Sequence, residues 1–445
     1  MKDACELFRG KKITLVGLGL LGRGVGDAEF LAKCDVHLIV TDVKSRSQLE
    51  PSVARLEKYP NVEFHLGGHQ KEDFEHADLV IKAAGVPLDS QEIALARRNN
   101  IPVGMSTALF AKYAMENGAT VVGVTGTRGK STVSQMVYKV LKRTRKNVLL
   151  GGNVRGVSTL AMLPEVVAGT VCVLELDSWQ LQGFGDLRMS PHIAAFTNLM
   201  PDHLNYYGGD MEKYFSDKAN IFRYQGAKDS LFVGKSILEK VSAAGSTTAP
   251  QVPPPIPEEW KLKILGEHNR ENASFAAAVL RALGISEQEI KNGLESFEGV
   301  EGRLQFVREM NGIKIYNDNN STTPEATIAA LNALAKGPTR SLVLIIGGSE
   351  KGLPLDELVS EIKKNCSRVV LLAHENYKGS ARLAGELRKA NIAFDEADRL
   401  QKAVELAMDA TTEGTVLFSP AFASFGMFRN EYERNDRFLD IICAL

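Results

Sequence analysis

The chain has 445 residues, 44% of them hydrophobic, with a formal net charge of −1. That length and composition fit several globular domains, at roughly 100–200 residues each, every one able to bury a core. The near-neutral balance excludes a global attraction to nucleic acid or membrane, so an anionic substrate must be met by local cations.

Along the chain, one pattern opens three times: a short apolar run ends in glycine, and a helical pattern follows. The runs are Ile13–Val16 before Gly17-Leu18-Gly19, Thr120–Val124 before Gly126, and Leu342–Ile346 before Gly347-Gly348. Short apolar runs bounded by glycine read as strands buried on both faces. Further strands are expected at Val36–Val40, Leu79–Ala83, Val171–Leu176, Ile193–Thr197, Val369–Ala373 and Val416–Ser419. Alternation with helices implies parallel sheets in an α/β fold, divided into three units at about 1–115, 116–300 and 301–445. The proline-rich stretch 249–257 reads as an extended loop within the middle unit.

Five scattered cysteines, Cys5, Cys34, Cys172, Cys366 and Cys443, form no CxxC pair. This argues against zinc and against a disulfide framework, with Cys34 and Cys172 as core thiols. A reducing cytoplasm is the expected setting. The amino-terminal stretch lacks a signal-peptide apolar region, and no run of roughly 18 apolar residues could span a membrane.

The strongest motif is Gly126-Thr127-Arg128-Gly129-Lys130-Ser131-Thr132, after a buried strand and before a helical pattern. Backbone N–H groups and the helix dipole converge there on phosphate oxygens. Lys130 would reach the β- and γ-phosphates of ATP, and Ser131 or Thr132 would hold magnesium. Val124 stands where the strict pattern has glycine. Downstream, Glu175 closes one apolar run, and Asp202-His203 follow another. The C-terminal ends of such strands face the ligand crevice, where a carboxylate can hold magnesium. The first unit carries Gly17-Leu18-Gly19-Leu20-Leu21-Gly22 with Asp42 at the end of the next strand. Taken alone, that spacing suggests a dinucleotide site.

In order, GTRGKST, LELDSWQL, NLMPDHLNYYG, GEHNRENASFAAAV, GRLQFV, YNDNNSTTPEA, GGSEKG and SPAFASFGMFRNEYER resemble the motif series of the Mur ligases. The resemblance spans nearly the whole chain and lies nearest the type that adds D-glutamate. It implies a Rossmann-like N-terminal domain for a UDP-linked substrate, a central P-loop ATPase-like domain, and a Rossmann-like C-terminal domain for the amino acid. The implied reaction is ATP-dependent addition of D-glutamate to UDP-N-acetylmuramoyl-L-alanine through an acyl phosphate. It belongs to peptidoglycan synthesis, and so to cell shape and division, in the cytoplasm. Implied cofactors are ATP and two magnesium ions; the implied state is a monomer without nucleic-acid or membrane partners.

Residue by residue, Lys130 resembles the lysine that steadies transferred charge, Ser131 and Glu175 the ligands of the first magnesium, and His203 a ligand of the second. Lys218 sits where the family carries a carbamylated lysine that helps position that second ion. Asn153, His268, Asn269, Arg303 and Asp318 resemble ATP contacts. Gly19, Leu20, Leu21, Gly22, Asp42, Lys44 and Gly85 would face the UDP moiety, and Thr322, Lys351 and Ser424 would hold D-glutamate. The chain departs from the family at Arg128, Asp177, Asn320, Phe422 and Ala83-Ala84-Gly85. Asn320 removes an expected cation, and Phe422 is expected to reshape the amino-acid pocket. Competing readings are an NAD-dependent oxidoreductase, which leaves the phosphate loop unexplained, a regulatory ATPase, and a Mur- or folylpolyglutamate-type ligase adding another amino acid.

Overall fold

The computed structural model describes residues 4–19, 22–144, 147–203, 206–335 and 342–445. Leu20 and Leu21, assigned above to the UDP moiety, lie outside the described residues. The described chain forms two compact units, one of residues 1–256 and 272–294, the other of 257–271 and 295–445.

The first unit holds two sheets. One contains β1 (Lys12–Val16), β2 (His37–Asp42), β3 (Val62–Leu66), β4 (Leu79–Lys82) and β5 (Val103–Gly104), in the order β3-β2-β1-β4-β5. The other contains β6 (Thr120–Thr125), β7 (Val148–Gly152), β8 (Val171–Glu175), β9 (Ile193–Phe196), β10 (Ser230–Val233) and β11 (Pro250–Gln251), in the order β11-β10-β9-β6-β8-β7. All pairings in both are parallel. The central strands β6, β8 and β9 are nearly continuous apolar runs because helices cover both faces. Chain order reverses beside β1 and again beside β6, so a crevice opens at each of those strand ends. The glycine turn follows β1, and the phosphate loop follows β6.

The second unit holds β12 (Gln305–Met310), β13 (Ile313–Asn317), β14 (Leu342–Ile346), β15 (Cys366–Leu372), β16 (Phe394–Ala397) and β17 (Gly414–Phe418), ordered β12-β13-β17-β14-β15-β16. Here the all-parallel expectation needs correction, since β12 runs antiparallel to β13 across a tight Asn311-Gly312 turn. The sequence reading missed β12 because it is a half-exposed edge strand, QFVREM, without a continuous apolar run. The edge strand β3, VEFHL, was missed for the same reason. The stretch 249–257 is extended, as expected, but its start pairs as β11 with β10.

The cysteine expectation also needs correction. Cys34 is not a free thiol; it is bonded to Cys5. The short helical turn Ala4–Leu7 packs beside the end of the helix Arg23–Ala32, which brings the two Cα atoms within 4.6 Å. Spacing along the chain cannot reveal such a pair. Cys172 is a buried free thiol, and burial pushes it up to about 12.

Candidate active site

The phosphate loop leaves β6 at Thr125 and enters the helix Lys130–Arg143. Gly126 has φ 144°, and a Cβ there would lie 1.9 Å from Thr197 Oγ1, so only glycine fits. Gly129 caps the helix with φ 84°. The loop is clamped by the chain that follows β9. Thr127 N donates to Asn198 O at 3.0 Å, and Arg128 N donates to Asn198 Oδ1 at 2.8 Å. Met200 N donates to Thr127 Oγ1 at 2.9 Å. Lys130 Nζ curls over its own loop, donating to Gly126 O at 3.0 Å and Thr127 O at 3.1 Å. Ser131 and Thr132 occupy the first helical turn, where the positive end of the helix dipole favours an anion.

Lys218, on the helix Met211–Ala219, reaches the same loop. Its Nζ is buried and donates to Gly126 O at 2.9 Å and to Thr125 Oγ1 at 3.3 Å. The Gly126 carbonyl thus joins the two lysines. Burial, and then the positive charge of Lys130, hold the Lys218 ammonium well below its ordinary value, which favours a neutral amine. Glu175 is buried at the end of β8, in register with Val124 on one side and Gly152 on the other. Asn153 N donates to Glu175 O at 2.7 Å. The close pass requires glycine at 152, where a Cβ would lie 2.1 Å from that oxygen. His203 has left-handed backbone, φ 52°, and its ring lies 4.7 Å from that of Trp179. Burial depresses its basicity, so the imidazole tends to neutrality, the form that ligates metal. Among the described residues, no group of three or more His, Cys, Asp or Glu side chains is arranged to hold a metal. A magnesium bound to phosphates needs only one or two protein ligands, and the buried Glu175 at the end of β8 suits that donor set.

In the first sheet, Gly19 and Gly22 adopt positive φ ahead of the helix Arg23–Ala32. Gly17, Gly19, Arg23, Gly24, Lys82 and Gly85 line one cavity there, with Gln180 from the helix Ser178–Asp186. Asp42 does not line it. Its buried carboxylate accepts Leu18 N at 3.0 Å and Lys44 N at 2.9 Å, so it braces the turn. Lys44 Nζ lies 3.9 Å from the same carboxylate.

In the second unit, Asn269 donates to Leu265 O at 2.7 Å near the start of the helix Glu267–Ala282, beside His268. Arg303 bridges back to Val300 just before β12. Asp318 is buried after β13 and accepts Leu304 N at 2.9 Å, Ser419 Oγ at 2.8 Å and the Ser321 hydroxyl. Burial nevertheless pushes its carboxyl up to about 6. Such an acid holds its proton more tightly folded than unfolded, so its contribution to stability falls as pH rises from 3.8 to about 6. Wild type should therefore gain stability relative to Asp318→Asn as pH falls from 7 to 4, by on the order of 3 kcal/mol at most. Chemical denaturation of both proteins across that range measures it, and a pH-independent difference would refute it.

Lys351 Nζ donates to Thr322 Oγ1 at 3.2 Å, so two of the three residues expected to hold D-glutamate meet. Ser424 lies on the segment beside the same loop, since Ser349 N donates to Ala423 O at 2.9 Å; its hydroxyl is buried without a partner among the described residues. The departures acquire local reasons. Asp177 caps the helix Ser178–Asp186, accepting Gln180 N at 2.7 Å. Phe422 is buried in the core of its unit. Asn320 donates to Glu301 O at 3.3 Å. Sequence reasoning missed Asn198 and Arg23. Only the position of Asn198 just past β9 could have flagged it, and the charge of Arg23 at a glycine-turn helix start could have flagged the other.

Three family models match: the MurD-like N-terminal domain of Mur ligases over residues 11–105, the Mur ligase middle domain over 124–241, and the Mur ligase glutamate ligase domain over 302–422. A Roseiflexus protein named UDP-N-acetylmuramoylalanine–D-glutamate ligase is 32% identical, over 97% of this chain and 98% of its own length. A Clostridium kluyveri protein of the same name is 31% identical, over 99% and 98%. Among solved structures, the UDP-N-acetylmuramate-alanine ligase MurC of Thermotoga maritima aligns with TM-score 0.62 at 19% identity, covering 98% of this chain and 99% of that one. The MurF ligase of the same organism, in complex with ADP, gives 0.60 at 16% over 99% and 98%. No helix among the described residues is long and apolar enough to cross a membrane. The motif order, the three sheets and these full-length relatives agree: the chain belongs to the Mur ligase family.

Proposed function

We propose that this protein is an ATP-dependent ligase that joins D-glutamate to UDP-N-acetylmuramoyl-L-alanine in the making of peptidoglycan precursors. The observation that carries the reading is the convergence of Lys130 and Lys218 on the Gly126 carbonyl of a phosphate loop beside the buried Glu175. The name shared by full-length relatives supports the choice of amino acid. The domain roles follow: residues 1–115 for the nucleotide sugar, 116–300 for ATP, and 301–445 for the amino acid.

The loop N–H groups and Lys130 hold the ATP phosphates in line with the substrate carboxylate. That carboxylate attacks the γ-phosphorus, ADP leaves, and an acyl phosphate forms. The amine of D-glutamate then attacks the acyl carbon, loses a proton, and expels phosphate. Positioning and charge neutralisation are the protein's share. Ser131 and Glu175 would hold one magnesium and His203 with Lys218 a second, supplying positive charge to the phosphates when bound. The buried amine of Lys218, which loses its proton more readily than an ordinary lysine, suits addition of CO2, which would turn it into an anionic carbamate. Asn153, Asn269, Arg303 and Asp318 are proposed around the nucleotide. Thr322, Lys351 and Ser424 are proposed around the D-glutamate carboxylates.

Phosphate release with ATP, magnesium and UDP-N-acetylmuramoyl-L-alanine, with amino acids supplied singly, tests the reading. D-glutamate alone should stimulate release. Stimulation by a different amino acid would move the protein to another branch of the family, a real alternative because Asn320 stands where a cation is expected.

A further inference from the structure

Two side chains on segments that follow strands of different sheets meet where no motif predicts it. Arg23 is the first residue of the helix that follows the glycine turn, and its Nη1 donates to Asn153 Oδ1 at 2.8 Å. Arg23 lines the cavity beside that turn. Asn153 follows β7, and its backbone is bound to Glu175 O at 2.7 Å. A continuous link therefore runs from the glycine turn through Arg23 and Asn153 to the strand end that carries Glu175.

The joint around this link is tight. Asp27, one turn along the same helix, is buried and accepts Ser158 Oγ at 2.6 Å. A Cβ on Gly26 would lie 2.7 Å from Ser158 Cβ. The helix is thus fixed against the 152–160 segment, and Arg23 has a defined place. Chemistry then adds direction. A guanidinium has five N–H donors and no acceptor, so it can only engage the oxygen of a carboxamide. With Oδ1 held by Arg23, the Asn153 NH2 points away from it as a donor. One guanidinium N–H is used on Asn153, and the fork can present others to the cavity. That fork suits phosphate oxygens better than an ammonium would.

We propose that Arg23 is a substrate-positioning residue whose guanidinium bridges the diphosphate of a nucleotide sugar in the glycine-turn cavity to the Asn153 carboxamide. Docking of the nucleotide sugar thereby sets the Asn153 NH2 toward the phosphoryl-transfer centre. The inference rests on the nucleotide-sugar reading above and adds a residue to it.

The test is calorimetric binding of UDP-N-acetylmuramoyl-L-alanine to the full chain without ATP, alongside steady-state kinetics. Arg23→Met should raise Kd and the KM for the nucleotide sugar roughly tenfold or more, with the KM for D-glutamate unchanged. Arg23→Lys should fall between, since an ammonium keeps the charge but not the fork. Arg23→Met should cost less in an Asn153→Ala background than in wild type, because the two act as one unit. If Arg23→Met does not fold, Arg23→Lys decides alone by a rise of about threefold or more in Kd. Unchanged binding in the variants, or full additivity with Asn153→Ala, would overturn the bridge while leaving the ligase reading in place. Failure of wild type to bind the nucleotide sugar would overturn both.

Discussion

Lys130→Met should lower ATP-dependent ligation by roughly a thousandfold or more while leaving the protein folded. The side chain is half-buried and donates to carbonyls of its own loop, Gly126 O and Thr127 O. Those bonds are local, and Lys218 still donates to the Gly126 carbonyl when Lys130 is gone. Loss of stability should therefore be small. The catalytic loss is large because negative charge on the transferred phosphoryl group must be met by a cation held in place at the loop. Methionine keeps the length and apolar stem but supplies no charge. Arginine should not restore activity, since its planar fork cannot occupy the space of a compact ammonium between two carbonyls. Phosphate release and thermal unfolding, measured side by side, check both halves. Activity within about tenfold of wild type would remove Lys130 from the proposed role, because loss of a transition-state contact costs more than that.

The parts of this fold that were legible are those with one dominant local cause. Strands β6, β8 and β9 are buried on both faces, so their composition alone marks them. The phosphate loop is legible because a tight turn at Gly126 and Gly129 tolerates few other residues. Strand β12 was hidden because an edge strand facing water has no need of a continuous apolar run. The Cys5–Cys34 bond and the Arg23–Asn153 contact were hidden for another reason. Each joins residues far apart in the chain, 29 positions in the first case, and neither leaves a mark on its neighbours. Asp42 shows a third limit: its spacing from the glycine turn suggested a ligand contact, and in the fold one carboxylate oxygen accepts Leu18 N of that turn while the other accepts Lys44 N just past its own strand. A motif fixes the residue type, while the backbone decides which partner receives it.

Lys218→Met should uncouple activity from stability, cutting ligation about a hundredfold or more without lowering the unfolding temperature. Lys218 is almost wholly buried, and its ammonium is disfavoured there by burial and by Lys130. A lysine whose folded pKa lies below its unfolded one gives up its proton more readily when folded. Stability then rises with pH up to the ordinary lysine value of 10.5, and at neutral pH this group subtracts from it. Methionine has similar length, requires no solvation, and leaves Gly126 O bonded to Lys130. Thr125 Oγ1 keeps its own bond to Leu176 O at 2.7 Å. What methionine cannot do is donate to the loop, pass through a neutral amine, or take up CO2. Thermal unfolding at pH 7 and 9 should show the gap between variant and wild type narrowing at the higher pH, where wild type recovers its deficit. Removal of bicarbonate should depress wild-type turnover and leave Lys218→Met unaffected. A variant that loses activity only in proportion to lost folded protein would make Lys218 a packing residue and nothing more.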